Sequence, residues 1–149
     1  MTVDGMNFSS SKVLIADDNP QILELLEAYL EPLGVQVVLA TDGQAAFDVV
    51  ERQRPDLILL DIMMPKHSGF EVCRVLKDDP RYNDISIIMV TALNEVGDME
   101  RARESGADDF LCKPVNKTEL LERVSNLLKI RRLKKSPDQA SGENPDSGR

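Results

Sequence analysis

"LILLDIMMPKHSG" (57–69) opens as an unbroken apolar run and stops at a carboxylate, Asp61, directly before a Met-Met-Pro turn. The run "DLILL" (56–60) is too short for a helix. Apolar on both faces, it reads as a central strand of a parallel sheet. An aspartate at a strand end is, taken alone, an ordinary turn residue. Its significance rests on what the other strand ends carry.

Reading outward, strand and helix patterns alternate five times. "KVLIA" (12–16) is a strand, followed by the helical "NPQILELLEAYLEPLG" with Asn19 as N-cap, Pro20 in the first turn and Gly34 past its end. "VQVVLA" (35–40) is strand-like, and "GQAAFDVVERQ" sets Ala46, Val49 and Val50 on one helical face. "GFEVCRVLKDD" repeats Phe70, Cys73, Val75 and Leu76 at helical spacing. "ISIIMVTA" (85–92) and "DDFLC" (108–112) are the fourth and fifth strands. Between them "EVGDMERARESG" is a weak helix containing Gly97. "KTELLERVSNLLKIRRLKK" is the last helix, with cations at its negative pole. This alternation predicts an α/β fold: a doubly wound five-stranded parallel sheet, flavodoxin-like in its order 2-1-3-4-5, with helices on both faces.

Composition narrows the function. At 149 residues with 42% hydrophobic and 30% charged content, the chain fits one soluble domain. A net charge of −8 argues against nucleic-acid binding and suits a divalent cation or a basic partner. Cys73 and Cys112 lie in apolar periodic segments without metal or redox spacing and read as buried reduced thiols. No stretch reads as a signal peptide or a membrane span, which predicts a cytoplasmic protein with no membrane partner. The expected layout is a flexible segment at 1–10, the domain over 11–132, and a disordered tail or linker over 133–149 with no aromatic or branched apolar residue in "SPDQASGENPDSGR".

In open parallel sheets the chemistry lies beyond the carboxyl ends of the strands. The first strand ends in Asp17-Asp18, the third in Asp61, the fourth in Thr91-Ala92 and the fifth in Lys113-Pro114. In the order 2-1-3-4-5 these four strands are neighbours. At about 4.8 Å between strands, the acids ending the first and third come within reach of one ion. Crowded carboxylates stay ionised only beside a cation. All-oxygen ligation without His or Cys is the magnesium pattern. Asp61, already ionised at neutral pH, can attack a phosphoryl group without a general base. Lys113 would bind one phosphoryl oxygen and the Thr91 hydroxyl would donate to another. No nucleotide-binding motif accompanies the site, so phosphate must come from another protein or a small phosphodonor.

Over roughly residues 11–132 the sequence resembles a response-regulator receiver domain, the phosphoacceptor of two-component signalling. The residues that carry the resemblance are Asp17, Asp18, the "LLDIMMP" acceptor Asp61, the "VTA" Thr91 and the "KP" Lys113. It implies a magnesium site made of Asp17, Asp18, Asp61 and the Met63 carbonyl, the last three matching the family's direct ligands. It further implies phosphate contacts from Thr91, Ala92 and Lys113, a switch pair in Thr91 and Phe110, and a cis Lys113–Pro114 peptide. The implied partners are a sensor histidine kinase or a phosphotransfer protein upstream and a protein target downstream. The implied phosphoprotein modifies itself and slowly loses its phosphate; it is not a turnover enzyme. Apolar Met63 and Leu93, two residues past the acceptor and the threonine, imply slow loss, since neither can orient water. Alignment on "GADDF" and "KTELLER" places Arg101, Asp109, Glu119 and Arg123 on a possible homodimer face, pairing Arg101 with Glu119 and Asp109 with Arg123 across a two-fold axis.

Each residue also has a plainer reading. Asp17 or Asp18 could cap the first helix, but Asn19 holds that position and leaves both acids without a structural role. Thr91 could bond the backbone, Lys113 could be a turn residue and Phe110 a core residue. Lys66 and His67, in the turn, carry no assigned role; His67 reads as a solvated loop residue. Two other functions compete with the switch. A phosphorylation-independent adaptor would ordinarily have lost a motif residue, and none is lost. A magnesium-dependent aspartyl phosphatase of the haloacid-dehalogenase type would need an acid two residues past the nucleophile, where Met63 stands.

Overall fold

The computed structural model describes residues 8–92, 100, 101 and 103–140, the last six by backbone alone. Five strands, β1 (Lys12–Ala16), β2 (Gln36–Ala40), β3 (Leu57–Asp61), β4 (Ser86–Thr91) and β5 (Asp109–Cys112), form one parallel sheet in the order β2-β1-β3-β4-β5. The expected topology is the observed one. Helices α1 (Pro20–Tyr29), α2 (Gly43–Gln53), α3 (Gly69–Asp78) and a C-terminal helix (Lys117–Ala140) complete the fold. In the weak fourth helical segment, residues 100, 101, 103 and 104 are helical, while 93–99 and 102, with Leu93 and Gly97, lie outside the described residues.

The period-2 geometry of strands explains the apolar run of β3. Leu57 and Leu59 enter one core with Leu23 and Leu26 of α1 and Leu120, Val124 and Leu128 of the C-terminal helix. Ile58 and Leu60 enter the other with Ala46, Val49 and Val50 of α2 and Val72, Cys73 and Leu76 of α3. All five β3 residues are buried, so along Leu57–Leu60 neither face of this strand has room for a solvated polar side chain. Each buried leucine contributes about 1.5–3 kcal/mol.

Local chemistry sets where the helices start and stop. Asn19, Asp42 and Ser68 cap α1, α2 and α3 by accepting backbone N–H groups of Gln21, Ala45 and Glu71. Such caps are each worth about 1 kcal/mol. The first helix is shorter than the pattern predicted. It ends at Tyr29, and Glu31–Leu33 form a 3-10 turn before Gly34 at φ 73°. Pro32 accounts for the break, because its missing N–H and its ring clash cost an α-helix about 3 kcal/mol.

The last helix is longer than expected and runs through residues 133–140, a stretch whose composition pointed to a tail. Apolar residues run out there and Pro137 has no N–H to donate, but at the other positions extending a helix already nucleated fixes only one residue per added bond. Arg131 fastens this helix to the amino ends of the sheet, its Nε 3.0 Å from Asp56 Oδ1 and its Nη2 3.4 Å from Asp84 Oδ2. Asp56 also accepts the Lys12 N–H at 2.8 Å. Both cysteines are free thiols; Cys73 is buried as expected, whereas Cys112, the last residue of β5, is exposed. Among the described residues no helix is long and apolar enough to cross a membrane.

Candidate functional site

The carboxyl ends of β1, β3, β4 and β5 converge as their sequence positions required. Asp17 and Asp61 are buried, with relative exposures of 1% and 5%, and Thr91 is buried beside them at 2%. Asp18 is exposed at the rim. One oxygen of each of Asp17, Asp18 and Asp61 lies within 4.8 Å of the others, close enough to share a cation. Asp61 is in register with Val90, which places Thr91 one residue further along the adjacent strand. The Lys113 backbone N–H donates to the Thr91 carbonyl at 2.7 Å and locks the ends of β4 and β5 together. The Lys113–Pro114 peptide is cis.

The Lys113 ammonium reaches back across the sheet and sits 3.1 Å from Asp17 Oδ2 and 3.1 Å from Asp61 Oδ1. Burial disfavours the ammonium cation, but bonds to Asp17 and Asp61 outweigh it and hold the group above its usual range. Burial, reinforced by the negative charge of Asp17, raises the pKa of Asp61, and the lysine offsets only part of this. A further cation would relieve that crowding. The donors are all hard oxygens, so the set fits a small divalent ion such as magnesium.

Asp17 departs from the sequence reading. Its Oδ1 accepts the Asn19 N–H at 2.9 Å, so this acid also orders the turn ahead of α1. The cap at Asn19 and the acid at Asp17 work in series, which residue spacing alone does not distinguish from two separate roles.

Other site residues lie around this centre. Met63, just past β3, exposes its side chain to 70%. Ala92 is exposed at the end of β4. Phe110 is partly buried against the core on the α2–α3 side, and the Phe70 ring of α3 lies under the Arg101 guanidinium, 4.4 Å from its centroid. Of the residues expected to pair between subunits, Asp109, Glu119 and Arg123 have partners within the chain. Arg123 binds Asp109, lies 3.1 Å from Glu119 and approaches the Phe110 carbonyl at 3.5 Å. His67 is not merely solvated: its Nδ1 is 2.9 Å from Glu71 Oε2 and its ring meets Phe47 edge to face at 5.2 Å. No sequence pattern links His67 to Phe47, which lie far apart in the chain and belong to no shared periodic pair.

Residues 13–125 match the response regulator receiver domain family. The response regulator PleD of Caulobacter vibrioides is 43% identical over 122 residues, which cover 82% of this chain and 27% of that protein. The DNA-binding dual master transcriptional regulator RpaA of a Synechocystis species is 43% identical over 129 residues, covering 87% and 53%. The chain thus spans between about a quarter and a half of the length of these relatives. A CheY-like receiver domain protein of Methanospirillum hungatei superposes with a TM-score of 0.77 at 27% identity, over 83% of this chain and 98% of that one. An acidic pocket, a buried strand-end aspartate and a bridging lysine on a 2-1-3-4-5 sheet accompany these matches over most of the chain, which belongs to the response regulator receiver domains of two-component systems.

Proposed function

We propose that this chain is a phosphorylation switch whose acceptor is Asp61, charged by a sensor histidine kinase or a phosphotransfer protein. The observation that carries this reading is the Lys113 ammonium held between Asp17 and Asp61, a cation set beside a buried carboxylate at the end of a central strand.

Asp18, Asp61 and the Met63 carbonyl would hold Mg2+, with Asp17 beside them. When bound, the ion neutralises charge that builds on the transferred phosphoryl oxygens. An Asp61 oxygen forms the bond to phosphorus as the bond to the donor's imidazole nitrogen breaks and that nitrogen takes up a proton. Lys113 exchanges its Asp61 contact for a phosphoryl oxygen, and the backbone N–H of Ala92 and the Thr91 hydroxyl bind the others. Thr91 is drawn inward, leaving space that Phe110 fills, and the surface around β5 changes shape for a protein target. The product is an acyl phosphate on the protein itself, without turnover of a separate substrate.

Incubation with acetyl phosphate and Mg2+, read by intact mass, tests this directly. One added phosphoryl group in the wild type and none in Asp61→Asn is the expected result. Equal uptake in both places the acceptor elsewhere.

A further inference from the structure

The segment joining Asp61 to α3 is a closed loop tied at its neck and at its tip. At the neck the Gly69 N–H donates to the Ile62 carbonyl at 2.9 Å. A Cβ on Gly69 would meet the Asp61 carbonyl oxygen at 2.3 Å, so only glycine permits this closure. At the tip the Pro65 carbonyl accepts the His67 N–H at 2.8 Å while Lys66 has φ 74°. A bond from residue i to i+2 with a positive central φ is the rare, strained form of the γ-turn. A lysine in that conformation persists only where its surroundings impose it.

Those surroundings are the amino terminus of α2. The Gly43 N–H donates to the same Pro65 carbonyl at 3.3 Å. A Cβ on Gly43 would stand 2.5 Å from both the carbonyl oxygen and the Cβ of His67, so the helix touches the loop backbone directly. One turn on, Phe47 takes the edge of the His67 ring at 5.2 Å, and Glu71 of α3 holds its Nδ1 at 2.9 Å. Lys66 Nζ lies 3.9 Å from Asp42, the α2 cap. Every tip residue from Pro65 to His67 is thus held by α2 or α3.

We propose that the start of α2, through Gly43 and Phe47 against Pro65 and His67, is a clamp that holds the acceptor loop in the strained form needed to present the Met63 carbonyl to the metal. His67 is a positioning residue in this scheme and touches neither ion nor phosphate. The proposal rests on the reading of Met63 as a ligand given above. It adds a second element to the site, one that no strand-end motif contains.

The test uses the full chain as wild type, Gly43→Ala, His67→Ala and His67→Phe. Mg2+ binding is titrated by calorimetry, and amide hydrogen exchange over residues 62–69 is followed without metal. Displacing groups that orient a ligand weakens metal binding by about 10-fold or more. Gly43→Ala and His67→Ala are expected to show that loss together with faster exchange at Gly69. His67→Phe keeps the ring against Phe47 and is expected to stay within about twofold of wild type. Wild-type affinity and wild-type exchange in His67→Ala overturn the clamp even if Gly43→Ala fails to fold. Loss in His67→Phe equal to that in His67→Ala also overturns it, because the ring contact is then irrelevant. Absence of Mg2+ binding by the wild type overturns the metal reading and the clamp with it.

Discussion

Lys113 Nζ stands 3.1 Å from Asp61 Oδ1 across 52 positions of sequence, and the same nitrogen is equally close to Asp17. The lysine therefore serves as the cation of the metal-free site. It faces two acids and satisfies neither completely, which leaves the pocket with a standing excess of negative charge.

Removing that lysine should be felt before any phosphate arrives. Its side chain is 24% exposed, so Lys113→Ala should cost less than the loss of one partner of a fully buried pair, about 1–2 kcal/mol. Thermal unfolding without metal is expected to show the loss, and millimolar Mg2+ is expected to recover most of it. A melting temperature unchanged by the mutation would mean that the lysine does not hold the acids.

The acceptor should weaken the metal-free fold. An acid whose folded pKa is raised keeps its proton in the folded state after the unfolded chain has lost it. Stability then falls as pH rises from the ordinary 3.8 through the raised value, and the penalty persists at neutral pH. Asp61→Asn removes the charge and should raise the melting temperature of the metal-free protein at neutral pH. Melting curves at pH 4 and pH 7 check it; the gain should shrink at the lower pH. A larger gain at pH 4 contradicts the sign.

Phosphate lifetime should be long. Neither Met63 nor Leu93 can align an attacking water, so the double variant Met63→Asn, Leu93→Glu is expected to lose its acyl phosphate about tenfold faster. Decay followed by intact mass at fixed Mg2+ decides, and equal half-lives reject the explanation.

Any dimer formed through Arg101, Asp109, Glu119 and Arg123 must first compete with the internal bonds of Arg123. Beryllofluoride is expected to shift the protein toward dimer in sedimentation. Arg123→Glu should abolish the shift, and adding Asp109→Arg should restore it. A monomer in both states at high concentration assigns this face to other partners.

The sheet was legible because β1, β3 and β4 are short apolar runs ending in chemically distinct residues, and neighbouring strand ends meet by topology alone. Asp61, Asp18, Thr91 and Lys113 fall together for that reason. What escaped depends on contacts that leave no periodic trace. The structural roles of Asp17 and His67 lie in a single bond to Asn19 and a ring contact with the distant Phe47, and the turn at Lys66 is strained in a residue type that carries no turn signal. The inward pairing of Arg123 was hidden because an i,i+4 partner and a between-subunit partner present the same charge pattern.

The C-terminal helix is pinned at two points, by Arg123 to Asp109 and by Arg131 to Asp56 and Asp84, about 12 Å apart along its axis. Two pins fix azimuth as well as direction. Along the described helix beyond Arg131, heading is set by the number of residues past the pins, each one turning it by about 100°. Inserting one or two residues there would turn the end of the helix toward another side, whereas seven would return it nearly to its starting heading. Helix length would then act as a dial of orientation.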